Sequence, residues 1–208
     1  MPATRSLAYS PAVAIWEMTR ACDLACRHCR ASALPGRDRR ELSTAEAFDL
    51  LDQLRALDPG VVVLTGGDPF KRPDLFAIVE AAVARGLAVA VAPSVTPQLT
   101  IDTIHRLADA GARRIALSLD GPDAATHDAL RGVPGSFART LEAIAAVRGV
   151  DLALQLNTSL THETVGRLAA TGQLVADLAP ALWSVFVVVP VGRARQDQQL
   201  DADTCERV

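Results

Sequence analysis

The chain reads as an α/β protein, a partial (β/α)6 TIM-like barrel of parallel strands. Three observations predict it. Short apolar runs alternate six times with longer stretches of helical period along 208 residues. Three of the helical stretches close on a glycine just before the next strand, at Gly86, Gly111 and Gly149, where a left-handed cap is expected. The later strands each carry one apolar and one polar face.

In order, the apolar runs lie at 13–16, 61–64, 87–92, 115–119, 152–156 and 183–189. Strand-helix units in series imply parallel pairing through right-handed crossovers. The first helix is expected at 45–57, opened by Ser43 and Glu46 at capping-box spacing. Others follow at 74–85, 101–110, 137–148 and 164–178. The first loop, 21–42, is far longer than the rest, and such loops in compact domains are usually functional. The alternative is an open doubly wound sheet, which needs apolar cover on both faces. Ser118, Asp120, Gln155 and Asn157 alternate with leucines along strands four and five and leave one face polar. A barrel interior around a ligand accommodates that face. Residues 200–208 read as the opening of a sixth helix, so 1–208 is expected to be one core domain of a longer chain.

The bulk numbers narrow the partners. With 21 basic and 24 acidic residues the net charge is -3, which makes no electrostatic case for nucleic acid or an anionic membrane. No apolar run reaches the length of a membrane-spanning helix free of charge or proline, and no signal-peptide core follows Met1. Three of the four cysteines cluster, which is no disulfide framework for a chain this long. Free thiols that take up metal fit a reducing cytoplasm.

That cluster is Cys22, Cys26 and Cys29, spaced C-x3-C-x2-C. Three thiolates can hold three irons of a four-iron, four-sulfur cube and leave one iron without a protein ligand, open to a small molecule. The competing readings are unrelated buried thiols or a structural zinc. Zinc wants four closed ligands, and the fourth would be His28, crowded against Cys29, or distant Cys205.

Ligands of parallel β/α barrels bind at the C-terminal strand ends, and the unusual residues collect there. Strand two ends in Thr65-Gly66-Gly67-Asp68-Pro69, strand three in Pro93-Ser94, strand four in Ser118-Leu119-Asp120-Gly121, strand five in Asn157-Thr158 and strand six in Pro190-Val191-Gly192-Arg193. Paired glycines let the backbone approach a ligand closely, and an acid beside them can accept from a ligand ammonium. An ordinary turn with Asp68 starting a helix is the plainer alternative. Lys71 and Arg72 are expected in a solvated turn, and His105, His127 and His162 at the surface.

In this order and spacing, the cysteine loop, the Gly66-Gly67-Asp68-Pro69 turn and Ser118-Leu119-Asp120-Gly121 resemble the radical S-adenosylmethionine superfamily, most like its members with a C-terminal cysteine-rich extension. The resemblance runs from about Val13 to Arg193. It implies that Cys22, Cys26 and Cys29 bind a [4Fe-4S] cluster whose open iron chelates S-adenosyl-L-methionine. Gly66, Gly67 and Asp68 match the motif that holds the methionine amino group. The family usually has Glu there, so the shorter Asp68 is expected to contribute less than the Gly67 backbone. Ser118 matches a cofactor-contacting serine, and His28 a residue near the adenine. Asn157 and Arg193 match positions that touch cofactor or substrate.

The activity implied is reductive cleavage of the cofactor to a 5′-deoxyadenosyl radical that abstracts substrate hydrogen, on a peptide or tetrapyrrole. No catalytic residue beyond cluster and cofactor is implied. A reductant such as flavodoxin or ferredoxin would supply the electron. The alternatives are a non-enzymatic iron-sulfur electron carrier or sensor and a zinc-dependent barrel hydrolase.

Overall fold

A computed structural model describes residues 10–208. Six strands form one sheet in sequence order: β1 (Val13–Thr19), β2 (Val61–Gly66), β3 (Val89–Val91), β4 (Arg114–Ser118), β5 (Ala153–Leu160) and β6 (Leu182–Val187). Every neighbouring pair is parallel. The helices are α1 (Thr44–Leu57), α2 (Leu75–Ala84), α3 (Ile101–Asp109), α4 (Ala124–Arg131), α5 (Ser136–Val147), α6 (Leu168–Leu178) and α7 (Ala202–Arg207). The sheet ends at β1 and β6 and does not close, so the architecture is a curled half-barrel.

The core sits between the sheet and its outer helices. Val62, Leu64, Val91, Ile115, Leu117, Leu154 and Leu156 pack there against Leu51, Ile78, Val79, Ile104, Leu107, Ile144 and Val175. Each such side chain contributes roughly 1.5–3 kcal/mol through burial. The strict alternation of β5 buries Leu154, Leu156, Thr158 and Leu160 and turns Gln155, Asn157 and Ser159 to the other face. On that face Gln155 donates to Asn157 Oδ1 (2.8 Å) and Ser184 Oγ (3.3 Å), and Ser118, Asn157 and Ser184 stand in register across three strands. This polar face lines a cavity, which excludes the doubly wound alternative.

Several expectations need correction. The sequence reading has no helix between strand four and residue 137, yet α4 fills it, N-capped by Asp123 and ended by left-handed Gly132 at φ 70°. Eight residues are too few for periodicity to stand out. Gly86 and Gly111 take positive φ as expected, but Gly149 is not among the left-handed glycines, because α5 ends in ordinary right-handed geometry at Arg148. The helix expected from 164 begins as a 3-10 turn, Val165–Arg167, before α6.

Arg72 is no solvated turn residue. Its side chain is fully buried, paired with Asp74 at 2.7 Å and donating to Met18 O and Leu42 O. Lys71 pairs with Asp23 at 2.6 Å. His127 is also buried, its Nδ1 accepting from the Asp120 N–H. Among the described residues no helix is long and apolar enough to cross a membrane.

Candidate active site

The long loop after β1 is folded on itself and sewn to distant elements. Cys22 N–H donates to Leu34 O (2.8 Å) and Leu34 N–H to Arg20 O (2.7 Å), closing its neck. The Arg20 guanidinium grips the Ala31 and Ser32 carbonyls from inside. Arg27 N–H reaches Leu130 O at the end of α4 (3.0 Å), and Arg193 N–H, just after β6, reaches Cys29 O (2.9 Å). The β6 exit comes so close that a Cβ on Gly192 would lie 2.4 Å from both Cys29 O and Arg30 O, and Gly192 sits at φ +68°. Only glycine takes that conformation and that approach at little cost.

This folding brings Cys22, Cys26 and Cys29 to one cavity of about 410 Å³ at the C-terminal strand ends. Gly66, Gly67, Ser118 and Asn157 line it from the strands, and His28 and Arg193 from the loops. Asp68 does not. Its buried carboxylate caps the turn after Gly67, accepting from Phe70 N–H (3.2 Å) and Thr96 Oγ1 (2.9 Å). Burial pushes its pKa up to about 6 against those bonds.

The glycine pair has an internal reason. A Cβ on Gly66 would stand 2.2 Å from Thr19 O, and one on Gly67 2.3 Å from Ala21 O. The two glycines let strand two pass against the backbone that leads into the cysteine loop, where Gly67 N–H donates to Thr19 O and Asp68 N–H to Ala21 O, both at 2.7 Å.

The cavity's chemistry suits a sulfur-bound metal cluster with an organic ligand beside it. The thiols are free, and Cys22 and Cys26 are buried. Burial raises the Cys22 thiol above its ordinary value although the Ser94 hydroxyl and the Leu24 N–H oppose it. Among the described residues, His28 Nδ1 and the Nε and Nη2 of Arg193 are buried with no hydrogen-bond partner. Burial, with the nearby charges of Arg131 and Arg193, takes His28 down to about 4. Buried donors and acceptors left open at a cavity are what a polar ligand would satisfy.

Ser94 is at the cavity mouth, where the end of strand three is expected to bring it; it stands 3.2 Å from Cys22 Sγ and donates to Gly67 O at 2.8 Å. Sequence reasoning missed Arg131, the last residue of α4, which pairs with Asp120 and reaches Cys26 Sγ at 3.8 Å. Its signal was the Asp123 and Gly132 bracket of a short helix.

Comparisons with known proteins bear on family and fold. A family model described as "Radical SAM superfamily" matches residues 16–172. The chain is 34% identical over 199 residues to an "AdoMet-dependent heme synthase" of Methanosarcina barkeri, covering 96% of this chain and 57% of the relative. It is 35% identical over 187 residues to "Mycofactocin maturase MftC" of Mycobacterium ulcerans, covering 88% and 49%. It therefore spans about half the length of these curated relatives. The crystal structure of Streptococcus suis SuiB bound to precursor peptide SuiA superposes with a TM-score of 0.79 at 18% identity, over 96% of this chain and 44% of that one, a likeness of fold.

Proposed function

This chain belongs to the radical S-adenosylmethionine superfamily, and we propose that it is the core of an enzyme that modifies a tetrapyrrole. Its cofactors are a [4Fe-4S] cluster and S-adenosylmethionine. When bound, they supply an electron and a 5′-deoxyadenosyl radical that takes hydrogen from an unactivated C–H bond.

The chain's own residues hold and enclose these groups. Cys22, Cys26 and Cys29 are the proposed cluster ligands. The Gly67 backbone, Ser118, Asn157, His28 and Arg193 are the proposed cofactor contacts, with Arg193 offering N–H groups suited to a carboxylate. Asp68 acts one step removed, fixing the turn that presents Gly67. Phe186, Val187 and Val189 give the cavity an apolar, solvent-exposed wall along β6 and its exit.

The observation that carries the reading is the convergence of three thiols with buried, unpartnered polar atoms of His28 and Arg193 on one cavity. The similarity to heme synthases along nearly the whole chain supports a tetrapyrrole. The similarity to the mycofactocin maturase supports a peptide as the second reading. A flavodoxin- or ferredoxin-type reductant, a C-terminal cysteine-rich extension and residence in a reducing cytoplasm complete the proposal.

The test is anaerobic reconstitution of the full-length protein, reduction, and addition of S-adenosylmethionine. 5′-Deoxyadenosine should form, and faster with a carboxylated tetrapyrrole than with a peptide. Cys26→Ala should lose both iron and product while keeping its circular dichroism. An intact four-iron cluster that yields no 5′-deoxyadenosine would overturn the activity, and acceleration by peptide alone would overturn the substrate.

A further inference from the structure

The three thiols do not share one environment. Cys22 Sγ lies 3.4 Å from the Leu24 N–H and 3.2 Å from the neutral Ser94 hydroxyl, and Cys29 Sγ lies 3.4 Å from the Ala33 N–H. Cys26 is served differently, by the Arg131 guanidinium at 3.8 Å from Nη1. That guanidinium has little freedom. Its Nε and Nη2 both bond Asp120 Oδ2, at 2.6 and 2.5 Å, and the Asp120 carboxylate is fully buried. Asp120 is fixed in turn, with Oδ1 accepting from Ser159 N–H (2.7 Å) and its own N–H donating to His127 Nδ1 (3.1 Å). Two of the three guanidinium nitrogens are thus committed to the carboxylate, and the third faces the sulfur.

We propose that Arg131, held by Asp120, is a positioning residue that donates to the Cys26 thiolate and sets the reduction potential of the bound cluster. This rests on Cys26 being a cluster ligand. Reduction adds one electron, taken from the external reductant, and spreads negative charge over the cluster sulfurs. A donor aimed at a ligand sulfur stabilises that reduced form more than the oxidised one and raises the potential. The ion pair acts as a dipole with its positive end on Cys26. Because the charge of Arg131 is balanced on its far side, the pair is neutral as a unit and still directs its donor at one cluster corner.

The test is a redox titration of the reconstituted full-length protein without S-adenosylmethionine, followed by the electron paramagnetic resonance of the reduced cluster. In Arg131→Gln the reduced-to-oxidised ratio at a fixed solution potential should fall about tenfold, a 59 mV downward shift for a one-electron couple. Arg131→Lys, which keeps the charge but not the fork, should fall between. Arg131→Gln strands a buried carboxylate, so the Arg131→Gln, Asp120→Asn double variant removes both charges together. It should still shift downward, by less than the single variant, and reports the lost donor alone. Potentials unchanged in both the single and the double variant, with four irons bound, would overturn the proposal. Iron content of Cys26→Ala reports separately on the ligand assignment: full retention of the cluster there would overturn that assignment and this proposal with it, whereas loss of iron there with unchanged potentials in the Arg131 variants would overturn only the role of Arg131.

Discussion

Replacing Gly192 by alanine should unfasten the β6 exit from the cysteine loop without melting the barrel. The new Cβ would lie 2.4 Å from two carbonyl oxygens, those of Cys29 and Arg30, whereas carbon and oxygen sit comfortably at about 3.3 Å. The exit must therefore withdraw by about 1 Å. That withdrawal breaks the 2.9 Å bond from Arg193 N–H to Cys29 O, about 1 kcal/mol. Holding alanine at φ +68° costs another 1–2 kcal/mol or so. At 1.4 kcal/mol per decade, the total of about 2–3 kcal/mol favours local opening by about 30- to 150-fold. Amide hydrogen exchange reads this directly. Arg193 should lose protection by that factor, while Leu117, on a central strand, keeps its own. Arg193 protection within about threefold of wild type would refute the reasoning, because neither the clash nor the bond would then matter.

Arg72→Met should lower the thermal midpoint markedly, since it strands Asp74 and removes donors from the Met18 and Leu42 carbonyls. The loss of about 3–5 kcal/mol corresponds to roughly 6–20 °C for a domain of this size, read by calorimetry. For Asp68 the native pKa of about 6 lies above its ordinary value. The folded protein thus binds a proton there that the unfolded chain has released, and this contribution is complete below about pH 4 and fades as pH rises through 6. Urea midpoints of the cluster-free protein across that window should fall less steeply with rising pH in Asp68→Asn, and parallel curves would count against a buried proton. Asp128→Ala should destabilise by roughly 1–2 kcal/mol in urea titration. Its carboxylate accepts from the Gly135 and Phe137 N–H groups and the Ser136 hydroxyl at the start of α5.

Much of the barrel was legible because its signals are local. The alternation of Leu154, Gln155, Leu156 and Asn157 is written in neighbouring residues, and so is the cysteine spacing. What escaped depends on partners far along the chain. Arg72 looks like a solvated turn until Met18, Leu42 and Asp74 close over it. His127 and Arg131 sit on α4, too short to announce itself by period. The glycine pair lines the cavity and also makes room for the carbonyls of Thr19 and Ala21, a second reason visible only once two strands lie side by side. Asp68 was expected to contribute less than Gly67, and its carboxylate turns to Thr96, away from the cavity.

The bond between Cys29 and Arg193 joins the first loop of the barrel to its last. During synthesis, at about 5–20 residues per second, the thiols emerge on the order of ten seconds before the segment that pins them. Through that interval the trio hangs on an unfinished clasp, accessible to oxidants and to stray metal. Assembly of the iron-sulfur inorganic core is therefore best timed after translation has passed the sixth strand, which makes the tail of the barrel the gatekeeper for maturation of its head.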